Sequence, residues 1–128
     1  MHRSQPLVAL IVDDVKENRM ILSRLLERQD FKTVCAENGK LAIAQAQNNS
    51  FDIIFMDVMM PEMDGIEATR EIRKNGYTGL IVAITAAVNE ETRCFESGMN
   101  DFITKPILFE PFIKKLQNWF PEEGKTKA

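Results

Sequence analysis

The chain has 128 residues, 45% of them apolar, which suits one domain with a sizeable core. A formal net charge of −3 gives no general reason to bind nucleic acid or an anionic membrane. No apolar run approaches the ~20 residues a membrane span needs, so no membrane insertion is expected. Met1–Pro6 also lacks the apolar core of a secretory signal. Cys35 and Cys94 have no metal-like spacing and are read as reduced thiols of a cytoplasmic protein.

Strands and helices alternate along the chain. Leu7–Val12 is a continuous apolar run and reads as a strand ending in Asp13-Asp14. Asn18, Ile21, Leu22, Leu25 and Leu26 follow at helical spacing, with Asp14 and Glu17 placed to cap that helix. Thr33–Ala36 is a second strand, Asn38-Gly39 a turn, and Leu41–Gln47 a second helix. Ile53–Met56 is a third strand and delivers Asp57 to its C-terminal tip. After the loop from Val58 to Met63, Asp64 caps a third helix that Gly76 terminates. Leu80–Ile84 leads into Thr85, and Glu90–Ser97 is a fourth helix stopped by Gly98. Phe102–Thr104 is a short fifth strand leading into Lys105-Pro106. Glu110–Trp119 is a fifth helix, with Pro111 tolerated in its first turn. Trp119 and Phe120 are expected to cover its end.

This alternation predicts an α/β fold, a doubly wound five-stranded parallel sheet with helices on both faces. The flavodoxin-like order 2-1-3-4-5 would place strands 1 and 3 side by side, with Asp13, Asp14 and Asp57 at the switch point where open α/β sheets bind ligands. One domain is expected over residues 1–128, with a core of about 7–120 and a frayed tail at 121–128.

Three carboxylates brought within several ångströms repel one another. At 4 Å and an effective dielectric of 20, each pair costs roughly 4 kcal/mol. Protonation or a cation relieves that cost. A hard all-oxygen site with room for water suits Mg²⁺. A carboxylate beside a divalent cation and a lysine can attack phosphorus to give an aspartyl phosphate. Phosphoryl transfer asks the protein mainly for positioning and charge neutralisation, for which Lys105 and the Thr85 hydroxyl are suited. Met56, Met59, Met60 and Met63 are assigned to core and loop packing rather than to a soft-metal site, because hard carboxylates surround them. His2, the single histidine, lies in the terminal stretch and is a poor catalytic candidate.

The motifs Ile11-Val12-Asp13-Asp14, Met56–Gly65, Ile84-Thr85-Ala86 and Thr104-Lys105-Pro106, in that order, resemble the receiver domain of two-component response regulators over about residues 7–120. Gly65–Arg73 resembles receivers of hybrid histidine kinases. The resemblance implies that Asp57 is the phosphoacceptor and takes its phosphoryl group from a phosphohistidine on a histidine kinase or phosphotransfer protein. Asp14, Asp57 and the main-chain carbonyl of Met59 would bind Mg²⁺ directly, and Asp13 through water. Thr85 and Lys105 would serve the reaction, and Thr85 with Phe102 would form the switch pair. The changed surface of helix 4, strand 5 and helix 5 would then meet a downstream protein. The Lys105–Pro106 bond would be cis. Phe102 departs from the tyrosine common at its position and lacks a hydroxyl for partner contacts.

The chain is thus expected to be a cytoplasmic signalling switch or phosphorelay module rather than a metabolic enzyme, catalysing only its own aspartyl phosphorylation and dephosphorylation. A haloacid dehalogenase-type phosphatase would need a second acid two residues after its nucleophile, where Met59 stands. A flavodoxin-like cofactor carrier would want a hydroxyl- and glycine-rich phosphate loop, where Asp13–Glu17 would repel phosphate. No output domain is recognised after helix 5, which suits either a stand-alone regulator or a receiver of a hybrid kinase.

Overall fold

The computed structural model describes residues 5–87 and 89–121. The expected frayed tail beyond Pro121 and the reading of His2 lie outside the described residues. In chain order the elements are β1 (Val8–Val12), α1 (Lys16–Arg28), β2 (Lys32–Ala36), α2 (Gly39–Asn48), β3 (Ile53–Asp57), α3 (Gly65–Lys74), β4 (Leu80–Thr85), α4 (Glu91–Ser97), β5 (Asp101–Thr104) and α5 (Phe109–Trp119). All strand pairs are parallel and the sheet order is β2-β1-β3-β4-β5.

Side chains alternate between sheet faces along a strand, and here both faces are covered. Leu10, Ile54, Met56, Ile81 and Ala83 pack with Ala42 of α2, Ile66 and Ile72 of α3 and Cys94 of α4. Their neighbours Ala9, Ile11, Ile53, Phe55, Val82 and Ile84 pack with Leu22 and Leu26 of α1 and Phe112 and Leu116 of α5. Two-sided burial is why β1, β3 and β4 read as unbroken apolar runs. Phe55 is held between Phe112 and Trp119, with ring centroids 5.7 and 6.1 Å away. Trp119 also donates its indole N–H to Asp101 at 3.1 Å, and Phe120 meets Phe31 edge-on. Both residues of the α5 end are thus packed, as expected.

Several local expectations are corrected. α1 has no Asp14–Glu17 cap: its N-cap is Val15, which makes no side-chain cap bond. Asp13 Oδ1 instead accepts from the Val15 amide at 2.9 Å, and Asp14 is exposed. Asn38 is the N-cap of α2 rather than half of a free turn, accepting from the Leu41 amide at 2.8 Å. Ile21, expected on the apolar stripe of α1, is 58% exposed. Met59 does not pack: it is 62% exposed, whereas Met56 and Met60 are buried. Asp64 caps α3 as expected, and Gly76 and Gly98 close their helices with φ of +104° and +115°.

At the opposite end of the sheet from the Asp57 tip, Arg73 of α3 gathers the α3–β4 and α4–β5 connections. Its guanidinium donates to the carbonyl oxygens of Gly98, Tyr77 and Gly79 at 2.9, 3.0 and 2.7 Å, and to Asn100 Oδ1 at 2.8 Å. Asn100 Oδ1 also accepts from the Ile81 amide at 2.9 Å. A Cβ on Gly98 would come within 2.8 Å of Arg73 Cγ. Burial lowers the Arg73 pKa from its ordinary value, a cost offset by the hydrogen bonds the guanidinium makes.

Candidate functional site

The strand order brings the acids together. β1 and β3 pair with Val12 opposite Met56, so Asp13 and Asp57 leave the sheet as neighbours. Asp57 pairs with Ile84 on the other side, which sets Thr85 one residue beyond it. Thr85 pairs with Thr104 of β5, and Lys105 follows immediately. The Lys105 amide donates to the Thr85 carbonyl at 2.8 Å, and the Lys105–Pro106 bond is cis.

The loop after β3 folds back over its own strand. The Gly65 amide donates to the Val58 carbonyl at 3.0 Å, and a Cβ at Gly65 would run into the Asp57 carbonyl oxygen. A side chain there would push α3 away from the β3 tip, so glycine is required for close approach.

Asp13, Asp14 and Asp57 each offer a carboxylate oxygen within 4.8 Å of the others. Asp13 and Asp57 are buried, while Asp14 faces solvent. Lys105 Nζ lies 3.3 Å from Asp13 Oδ2 and 3.6 Å from Asp57 Oδ1. The Met59 amide donates to Asp57 Oδ1 at 3.3 Å. The Asp57 pKa rises to about 6, chiefly through burial and then through the Asp13 charge, with Lys105 and the Met59 amide opposing the rise and Asp14 adding to it. Three ionised carboxylates against one ammonium leave two uncompensated negative charges. That excess and the all-oxygen donor set fit a hard divalent cation.

Thr85 is buried and its Oγ1 accepts from the Ala87 amide at 3.0 Å, which leaves the hydroxyl hydrogen available to a ligand. Phe102 is not among the carboxylates. Its half-buried ring packs edge-on against Phe95 of α4, with centroids 6.3 Å apart. Arg19 Nη1 donates to the Asp13 carbonyl at 2.8 Å, a contact that sequence reasoning did not assign. Its position on α1 carries no periodic signal of that contact.

Residues 9–117 match the response regulator receiver domain family. The chain is 40% identical over 119 residues to hybrid signal transduction histidine kinase E of Dictyostelium discoideum and 38% identical over 117 residues to the sensor protein GacS of Pseudomonas syringae. These alignments take in 87% and 86% of the chain but only 7% and 13% of the two kinases. A solved receiver domain of a Pseudomonas aeruginosa sensor histidine kinase, with magnesium coordinated in its active-site cleft, superposes with a TM-score of 0.81 at 31% identity, covering 89% of this chain and 97% of that one. The Ssk1 receiver of Saccharomyces cerevisiae, solved with the histidine phosphotransfer protein Ypd1, gives 0.81 at 29% identity, with 92% and 91% covered. The family match makes this a signalling domain. The chain belongs to the response regulator receiver domain family of two-component systems. No helix among the described residues is long and apolar enough to cross a membrane.

Proposed function

We propose that this receiver, a single domain over residues 1–128, takes a phosphoryl group from a phosphohistidine of a histidine kinase or phosphotransfer protein onto Asp57. The observation that carries the proposal is the convergence of Asp13, Asp14 and Asp57 within 4.8 Å, with Lys105 against two of them. The magnesium-bound and Ypd1-bound relatives support the cofactor and the donor class.

Asp14, Asp57 and the Met59 main-chain carbonyl would hold Mg²⁺ directly, with Asp13 holding it through water. When bound, the ion neutralises charge on the phosphoryl oxygens. An Asp57 carboxylate oxygen attacks phosphorus as the phosphorus–nitrogen bond to the donor histidine breaks, and the histidine leaves with that electron pair. The Lys105 ammonium pairs with a phosphoryl oxygen, and the Thr85 hydroxyl donates to another. Drawing Thr85 toward the phosphoryl group frees space for the Phe102 ring, and the α4–β5–α5 surface changes for a downstream protein. Phosphorylation and hydrolysis at Asp57 are the only chemistry the site performs.

Acetyl phosphate with and without Mg²⁺, read by intact mass, tests the proposal. Wild type gains one phosphoryl mass only with Mg²⁺. Asp57→Asn labelled to the same extent, or full labelling in EDTA, would refute it.

A further inference from the structure

The β1–α1 turn carries two of the three acids, yet no side chain caps the helix that follows it. The turn is held from within the helix instead. Arg19 reaches back to its start, and Nη1 donates to the Asp13 carbonyl at 2.8 Å. Asp13 is thereby held through its amide, its carboxylate and its carbonyl, and the carboxylate also meets Asn18 and Lys105. Its amide donates to the Ala36 carbonyl at 3.2 Å, its carboxylate accepts from the Val15 amide at 2.9 Å, and its carbonyl accepts from Arg19.

The third tie matters most for Asp14. The Asp13 carbonyl belongs to the planar peptide that enters Asp14, so fixing that oxygen fixes the plane from which the Asp14 side chain departs. Asp14 is exposed, and among the described residues its carboxylate accepts no hydrogen bond that would orient it independently. Asp57 sits at the end of a paired strand and needs no comparable restraint.

We infer that Arg19 is a positioning residue for the metal site, orienting the Asp13–Asp14 peptide so that the Asp14 carboxylate is set for Mg²⁺ before the ion arrives. The inference rests on the reading of Asp13, Asp14 and Asp57 as that site. It also has a distinctive sign. A guanidinium near the acids repels a divalent cation, so if charge were its main effect, removing Arg19 would tighten Mg²⁺ binding. If positioning dominates, removing it weakens binding. Partners that orient metal ligands are worth roughly 10–100-fold in affinity.

The test is calorimetric titration of Mg²⁺ into wild type, Arg19→Ala, Arg19→Met (which keeps an apolar stem on the helix) and Arg24→Ala as a control that does not touch the turn. Thermal unfolding in EDTA establishes that each variant is folded, and acetyl phosphate labelling is then followed against Mg²⁺ concentration. Both Arg19 variants are expected to bind Mg²⁺ about tenfold or more weakly, with a much smaller loss of labelling rate at saturating Mg²⁺, while Arg24→Ala binds as wild type does. Unchanged or tighter Mg²⁺ binding in folded Arg19 variants overturns the inference, as does a lower saturated rate at unchanged affinity. If wild type itself binds no Mg²⁺, the metal-site reading fails instead.

Discussion

Replacing the phosphoacceptor should stabilise the metal-free protein at neutral pH. Asp57 has an ordinary carboxylate value of 3.8 when unfolded and about 6 when folded. Between those values the native state binds more protons than the unfolded state, so stability falls as pH rises. The contribution is fully present below pH 3.8 and is lost by the time pH has passed through about 6. A rise of about 2 units corresponds to at most about 3 kcal/mol. Asp14 and Lys105 are partly solvated, and screening there reduces the figure to about 1–2 kcal/mol. Asp57→Asn removes the ionisation, so urea unfolding in EDTA at pH 7.5 should show a gain of about 1–2 kcal/mol that disappears near pH 4. Saturating Mg²⁺ should reverse the order, because the ion binds the native wild type and stabilises it by mass action. An Asp57→Asn protein no more stable than wild type at pH 7.5 in EDTA, or equally stabilised at pH 4, would refute the account of burial and acid repulsion.

Three further outcomes can be checked. If Met59 and Ala87, two residues beyond Asp57 and Thr85, flank the path of a water attacking the aspartyl phosphate, neither side chain offers that water a strong hydrogen bond. Wild type should therefore lose phosphate slowly, and Met59→Asn combined with Ala87→Glu should lose it roughly tenfold faster or more by timed intact mass; an unchanged lifetime would discard the water-positioning account. Beryllofluoride with Mg²⁺ should shift amide resonances along α4, β5 and α5 as well as at the strand tips, and Thr85→Ala should confine the response to the pocket; equal spread in both proteins would exclude Thr85 as the link. Gly65→Ala forces a Cβ into the Asp57 backbone and Met56, so denaturant unfolding should show a loss of about 1–3 kcal/mol, with a neutral effect arguing that the loop yields freely.

The sheet was legible because β1, β3 and β4 are buried on both faces and leave continuous apolar runs in the sequence. Their tips were legible for the same reason: Asp13, Asp57 and Thr85 stand where each run stops. Element ends were not, since they depend on cross-strand partners. Lys32 joins β2 because Val8 lies opposite it, and Asp101 joins β5 because Val82 does. Asn38-Gly39 suits a turn and an N-cap equally, and only the approach of the Leu41 amide decides between them. Asp14 looked like a cap because its spacing to Glu17 was right, but its neighbour Asp13 takes the Val15 amide and leaves Asp14 facing solvent. Arg19 and Arg73 act through carbonyl oxygens, which no residue pattern advertises.

The Arg73 clamp holds one end of α4 and should make that helix move as a lever. Its C-terminal end is pinned at Gly98 through the guanidinium, and the Gly98 and Met99 amides are anchored to Phe95 and Cys94. Its start at Glu90–Glu91 has no side-chain cap and adjoins the segment leaving Thr85. Displacement caused at the phosphorylation site should thus be greatest beside that site and vanish toward Gly98, with the fulcrum at the far end of the sheet. Cutting the clamp with Arg73→Met would let both ends move, and hydrogen exchange at the Gly98–Asn100 amides would then respond to beryllofluoride where wild type stays silent.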